Sequence, residues 1–122
     1  MKYLIFFLLG SLLGGGCKSK SPFTSVDAEV FAREISNADV QLVDVRTPEE
    51  YAEGHIAGAI NMNVNDASFD KQIASLDKNR PVALYCRSGR RSKLAATRTA
   101  KLGYKVIELN GGILSWQGDL EQ

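Results

Sequence analysis

Cys86 lies in "VALYCRSGRRSK", between an apolar run, Val82 to Tyr85, and a stretch of helical spacing that begins near Arg90. Arg87, Arg90 and Arg91 follow within five residues, with Gly89 among them. A thiol at a helix start faces unpaired backbone N–H groups and the positive end of the helix dipole, and both stabilise its thiolate. Neighbouring cations add to this, so cysteines in such positions ionise well below the free value of about 8.5. Gly89 lets the loop curl until successive N–H groups point inward as an anion nest. The implied chemistry is a nucleophilic sulfur at the centre of a cradle formed by Arg87, Ser88, Gly89, Arg90 and Arg91. The competing reading is an inert core thiol beside a solvated helix start, because free cysteine is among the most buried residue types. Helix starts favour Asp or Glu, however, and arginines there cost stability unless an anion is expected.

Such a cradle needs a strand to end at Cys86 and a helix to start behind it, and the chain reads as a series of such units. "VQLVDV", Val40 to Val45, is a β-rich run that stops at "RTPEEY", where Thr47 and Pro48 suit an N-cap and first helical position. A loop around "GHIAGA" enters a second strand near Ala59 to Met62. Asp66 to Leu76 and Arg90 to Leu102 have helical spacing, with Gly103 placed to stop the latter. Val82 to Tyr85 and "KVIEL" are further strands, and "ILSWQGDLEQ" reads as a last helical turn or two. At the front, Ser25 is the expected N-cap of a helix carrying Val26, Val30, Phe31 and Ile35 on one face. Alternating strands and helices imply an α/β domain with parallel βαβ units and helices on both faces of the sheet. Ligand sites in such sheets sit beyond the strand C-termini, where Cys86 is expected.

The chain has 122 residues, 44% hydrophobic and 24% charged, which suits one globular domain. Residues 1–16 stand apart: Lys2 is followed by an apolar run from Tyr3 to Leu13 and then by small residues ahead of Cys17. That is the layout of a secretory signal peptide, and the run falls short of the roughly 20 residues a membrane span needs. A cysteine directly after the small residues resembles the processing site of bacterial lipoproteins, in which Cys17 would be lipidated and become the first mature residue. The departure is Gly14 three residues before it, with Leu13 one further back. Residues 17–24 then form a polar tether and residues 25–122 the domain. The expected location is the bacterial cell envelope, lipid-anchored and facing the periplasm or exterior. Loss of residues 1–16 removes one lysine and leaves 14 basic and 14 acidic side chains, a balance without general attraction for nucleic acid. With Cys17 acylated, Cys86 is the one remaining thiol and no internal disulfide forms. One His and one available Cys give no metal site, and no cofactor is implied.

"LVDVRTPEEYAEGHIAGAINM", "CRSGRRS" and "NGGILSW" together resemble the signature regions of the rhodanese-like domain, in the expected order from Asp27 to Leu120. The resemblance implies a five-stranded parallel sheet, with a short edge strand around Phe23 as the fifth. It also implies a sulfurtransferase in which Cys86 takes a sulfane sulfur from a small anionic donor such as thiosulfate, from polysulfide or from a protein persulfide. Cys86 would hold it as a persulfide and pass it to a thiol or cyanide. Arg87 and Arg91 would bind the donor, with Arg90 facing solvent. Phosphatases and arsenate reductases of this fold carry an arginine six positions after the cysteine, where this chain has Ser92; the shorter loop resembles the sulfur-transferring branch. Tyr85 precedes the nucleophile, where many cysteine phosphatases have His.

Asp44 and Arg46 are expected on the functional edge, either as a mutual ion pair that fixes the loop or in direct contact with the reaction. His55 is expected to be structural, its ring bonded to backbone, rather than a general base. Trp116 is expected in the core or as its cap. Glu50, which precedes Tyr51 where the two-domain relatives carry a basic residue, would disfavour a dianionic donor. The alternative from a different class is a non-catalytic rhodanese-like module that displays a sulfur or anion site to a partner.

Overall fold

The computed structural model describes residues 21–122, so the signal segment and Cys17 lie outside the described residues. Five strands form a parallel sheet: β1 (Thr24–Val26), β2 (Gln41–Asp44), β4 (Ile60–Asn61), β5 (Val82–Tyr85) and β6 (Val106–Leu109), in the order β1-β6-β5-β2-β4. A separate antiparallel pair joins β3 (His55–Ile56) to β7 (Leu120–Glu121). The helices are α1 (Ala28–Ile35), α2 (Pro48–Glu53), α3 (Phe69–Ile73) and α4 (Arg90–Lys101), and a 3-10 turn covers Gly112–Ser115.

β5 is the central strand and is buried along its whole length. A strand covered on both faces reads as a continuous apolar run, which is why "VALY" shows no alternation. Val82, Leu84 and Cys86 face α3 and α4 together with Val43, Phe69, Ile73, Ala95 and Val106. Ala83 and Tyr85 face the other way, with Phe31, Ile56, Leu109 and the partly buried Trp116. Among the described residues, no helix is long and apolar enough to cross a membrane.

Three local expectations change. Ser25 is not an N-cap: it lies in β1, paired with Glu108 of β6, and Thr24 at the end of the expected tether is already strand. The cap is Asp27, whose Oδ1 accepts the Val30 N–H at 3.0 Å. A polar residue that pairs in a sheet is unavailable to a helix, so α1 begins two residues later and Val26 belongs to the strand. The expected helix Asp66 to Leu76 contracts to α3. Finally, the segment after "NGG" makes only the 3-10 turn; Trp116 is already extended, with ψ 136°, and the chain runs on into β7. Thr47 and Pro48 act as expected, with a full capping box between Thr47 and Glu50.

Tyr85 ties the main sheet to the small one. Its hydroxyl accepts the Ile56 N–H at 2.9 Å, and its side chain is fully buried beside Asp44. Tyr85→Phe should therefore leave a buried N–H without an acceptor and cost about 1–3 kcal/mol, read as a lower urea midpoint at unchanged slope. An unchanged midpoint would mean that Ile56 finds another acceptor.

Candidate active site

The loop from Cys86 to Gly89 joins the buried end of β5 to α4. Gly89 caps the helix with φ 101°, a left-handed conformation that L side chains rarely adopt. That turn brings the Gly89 N–H to 3.1 Å from Cys86 Sγ, and the Ser88 and Ser92 N–H groups also act on the sulfur. Burial pushes the Cys86 thiol up, but the Ser92 hydroxyl, with its hydrogen turned to the sulfur, and these three N–H groups outweigh it, so the thiol lies below its ordinary value. Cys86 is 1% exposed and has these donors around its sulfur.

The loop's own carbonyls are bonded from behind. Ile113 N–H donates to Cys86 O at 2.9 Å, and Leu114 N–H donates to Arg87 O at 3.1 Å. Gly112, at φ 64°, lies so close that an added Cβ would fall 2.3 Å from Arg87 O and 2.7 Å from Cys86 O. Gly89 meets Gly111 in the same way, with an added Cβ 2.9 Å from Gly111 N. The paired glycines of "NGG" therefore permit close contact between two backbones.

The arginines divide. Arg87 and Arg90 are exposed and have no side-chain partner among the described residues. Arg91, expected to bind the donor, is held by Glu50 through two parallel hydrogen bonds of 2.7 and 2.9 Å. Glu50 is pulled down to about 2, first by that bond and further by the Thr47 N–H. The carboxylate that looks misplaced for binding a dianion thus fixes the last arginine of the loop to α2.

Asp44 and Arg46 adopt the mutual ion pair, Nη2 to Oδ2 at 2.6 Å, with both residues buried. The Arg46 guanidinium also donates to Gly54 O at 2.7 Å, which pins the end of α2. His55 Nδ1 meets Tyr51 O at 2.9 Å and its ring stacks on that of Tyr51, the expected structural role. Trp116 packs edge-on against Phe31, in keeping with a core residue.

Sequence reasoning missed Glu108 and Lys93. Glu108 is completely buried and accepts from Ser25 Oγ and Ser92 Oγ, each at 2.6 Å, and from Lys93 Nζ at 3.3 Å. The available signal was an acid inside "VIEL", where a strand covered on both faces should be apolar throughout; an acid buried there requires partners.

The Glu50 shift sets a pH dependence. A carboxylate with a depressed folded value stabilises fully above its unfolded value near 4.3 and loses that contribution as pH falls toward about 2. Glu50→Gln should remove a loss of about 1–2 kcal/mol over that window, allowing for the pair's partial exposure. Urea midpoints measured at successive pH values check this; identical slopes for the two proteins would contradict it.

Comparison with known proteins gives one consistent answer. Residues 27–119 match the family described as the Rhodanese-like domain. A "Sulfurtransferase" of Allochromatium vinosum is 37% identical over 93 residues, spanning 75% of this chain and 85% of that protein. "Thiosulfate sulfurtransferase PspE" of Escherichia coli is 38% identical over 86 residues, spanning 70% of this chain and 82% of that protein. Among solved structures, SSP1007 from Staphylococcus saprophyticus superposes with a TM-score of 0.72 at 26% identity, over 82% of this chain and all of that one (100%). With its five-stranded parallel sheet, its Cys86 loop and these relatives, the chain belongs to the rhodanese-like domain family.

Proposed function

We propose that the protein transfers sulfane sulfur through a persulfide on Cys86. The Cys86 thiolate attacks the outer sulfur of the donor; the donor's S–S bond breaks and its electron pair leaves with the remainder, sulfite when the donor is thiosulfate. Cys86 is left as a persulfide anion beneath the loop N–H groups. A thiol or cyanide then attacks the outer sulfur and the Cys86 thiolate returns, a ping-pong cycle with a covalent intermediate. The observation that carries this reading is the Gly89 N–H, 3.1 Å from Sγ, a donor that favours the anionic form of the sulfur over the thiol. The names of the relatives, a sulfurtransferase and a thiosulfate sulfurtransferase, support the same activity.

With 1% exposure, Cys86 meets a donor only at the loop rim, where Arg87, Ser88 and Arg90 are exposed. Arg91 is neutralised by Glu50, so attraction for an anion rests on Arg87 and Arg90. A protein persulfide, which carries its sulfur on a polypeptide, therefore suits the site better than a small dianion such as thiosulfate or polysulfide. The same proposal includes an envelope location through a lipidated Cys17, on the strength of the basic, apolar and small residues that precede it. A second reading, a non-catalytic sulfur- or anion-binding module, draws support from the burial of Cys86 and the engagement of Arg91.

The expected result is thiosulfate:cyanide turnover by the wild-type protein, falling to background in Cys86→Ser. Full turnover by the variant would eliminate Cys86 as the carrier. A wild-type protein inactive with thiosulfate, polysulfide and persulfide donors would favour the binding module.

A further inference from the structure

On β6, Val106 and Glu108 face α4, where Val106 packs in the core with Leu84 and Cys86. Glu108 occupies a position suited to an apolar side chain, yet it is 0% exposed and lies beside the first turn of α4. Its Oε1 accepts from Ser25 Oγ of β1 at 2.6 Å. Its Oε2 accepts from Ser92 Oγ of α4 at 2.6 Å and from Lys93 Nζ at 3.3 Å, while Lys93 also donates to Gly89 O and to Asn110 Oδ1. Ser92 Oγ in turn lies 3.4 Å from Cys86 Sγ and accepts from the thiol. The charged groups around this chain are Lys93 from α4 at the Glu108 end and Arg91, also from α4, at the Cys86 end, the latter paired with Glu50 of α2. From β1 and β5 the neighbours of Glu108 are the uncharged Ser25 and Leu84.

Ser92 has a single hydroxyl hydrogen. Directed at Glu108, it leaves only a lone pair toward the sulfur, which suits a thiol and repels a thiolate. Directed at Cys86, it stabilises the thiolate and leaves Glu108 Oε2 with the longer contact to Lys93 Nζ as its donor. One rearrangement satisfies both ends.

We propose that Glu108 is a positioning residue that takes up the Cys86 proton through Ser92. The thiol hydrogen passes to Ser92 Oγ as the original Ser92 hydrogen passes to Glu108 Oε2. One negative charge moves from the carboxylate to the sulfur, and no proton leaves the protein. Ser92 then donates to the thiolate, and the protonated Glu108 donates to Ser92. The nucleophile is formed inside a nearly closed site without exchange with solvent, and the reverse shift quenches it. The relay leaves one proton between Cys86 and Glu108, on one or the other. The inference rests on Cys86 being the nucleophile, but its test does not require sulfur transfer.

The experiment is the pH dependence of iodoacetamide alkylation on the full chain, followed at the Cys86 peptide by mass spectrometry so that alkylation elsewhere is not counted. Wild type, Glu108→Gln and Ser92→Ala are compared, with thermal melts to verify folding. The wild-type rate should rise in two steps, one in the carboxylic range and one in the thiol range. Glu108→Gln should show a single step, with the rate near pH 6 lower by on the order of tenfold, the effect of one unit in proton affinity. Ser92→Ala should lose the lower step while keeping Glu108, and it decides the matter if Glu108→Gln fails to fold. A single step in the wild type, or two steps retained in a folded variant, would overturn the relay. A two-step profile without sulfur transfer would instead refute the proposed function, and sulfur transfer with a one-step profile would refute the relay alone.

Discussion

Backbone N–H groups can stabilise a sulfur anion in a nearly buried position only if the loop that carries them turns every donor inward, and that geometry leaves its carbonyls on the outside. Those carbonyls need partners of their own. Here Ile113 and Leu114 supply them, at 2.9 and 3.1 Å to Cys86 O and Arg87 O. The approach is so close that Gly112 has no room for a Cβ, which would fall 2.3 Å from Arg87 O. Much of the site's architecture follows from this contact between two backbones: glycine at 89, 111 and 112, a 3-10 turn in place of a longer helix, and a chain that leaves the turn extended at Trp116.

Around this frame the charges are mostly already matched. Asp44 binds Arg46, Glu50 binds Arg91, and Glu108 is reached by Lys93 and two hydroxyls. Such pairing suits a site in which charge appears on one atom, the sulfur, and fixed dipoles receive it with little rearrangement. The loop cations without partners among the described residues, Arg87 and Arg90, are both exposed, so long-range attraction is left to the rim and local stabilisation to the backbone.

The sequence carried the parts that burial or strong local chemistry determine. Val82 to Tyr85 is apolar because both faces are covered, and Thr47-Pro48 is a helix start on local grounds. Gly89 marks the turn that Cys86 requires. The parts it did not carry depend on partners distant in the chain. β1 is three residues long and mostly exposed, and its pairing comes from β6, more than eighty residues on, so Ser25 looked like a cap. β3 and β7 have two residues each and lack any periodicity to read. Glu50 was legible as a carboxylate but not as the partner of Arg91, because α2 and α4 meet only in the folded chain. The signal from Glu108 was present, as an acid inside a strand of otherwise apolar residues, although its meaning depends on Ser92 lying opposite.

The central claim is that the anion held by the loop is a sulfur able to accept another sulfur. Intact-protein mass spectrometry after incubation with thiosulfate, polysulfide or a protein persulfide tests it most directly. The expected result is a gain of one sulfur atom with at least one donor, located on Cys86 and reversed by cyanide. A protein that gains no sulfur from any donor, or that gains it with Cys86 replaced by Ser, would contradict it.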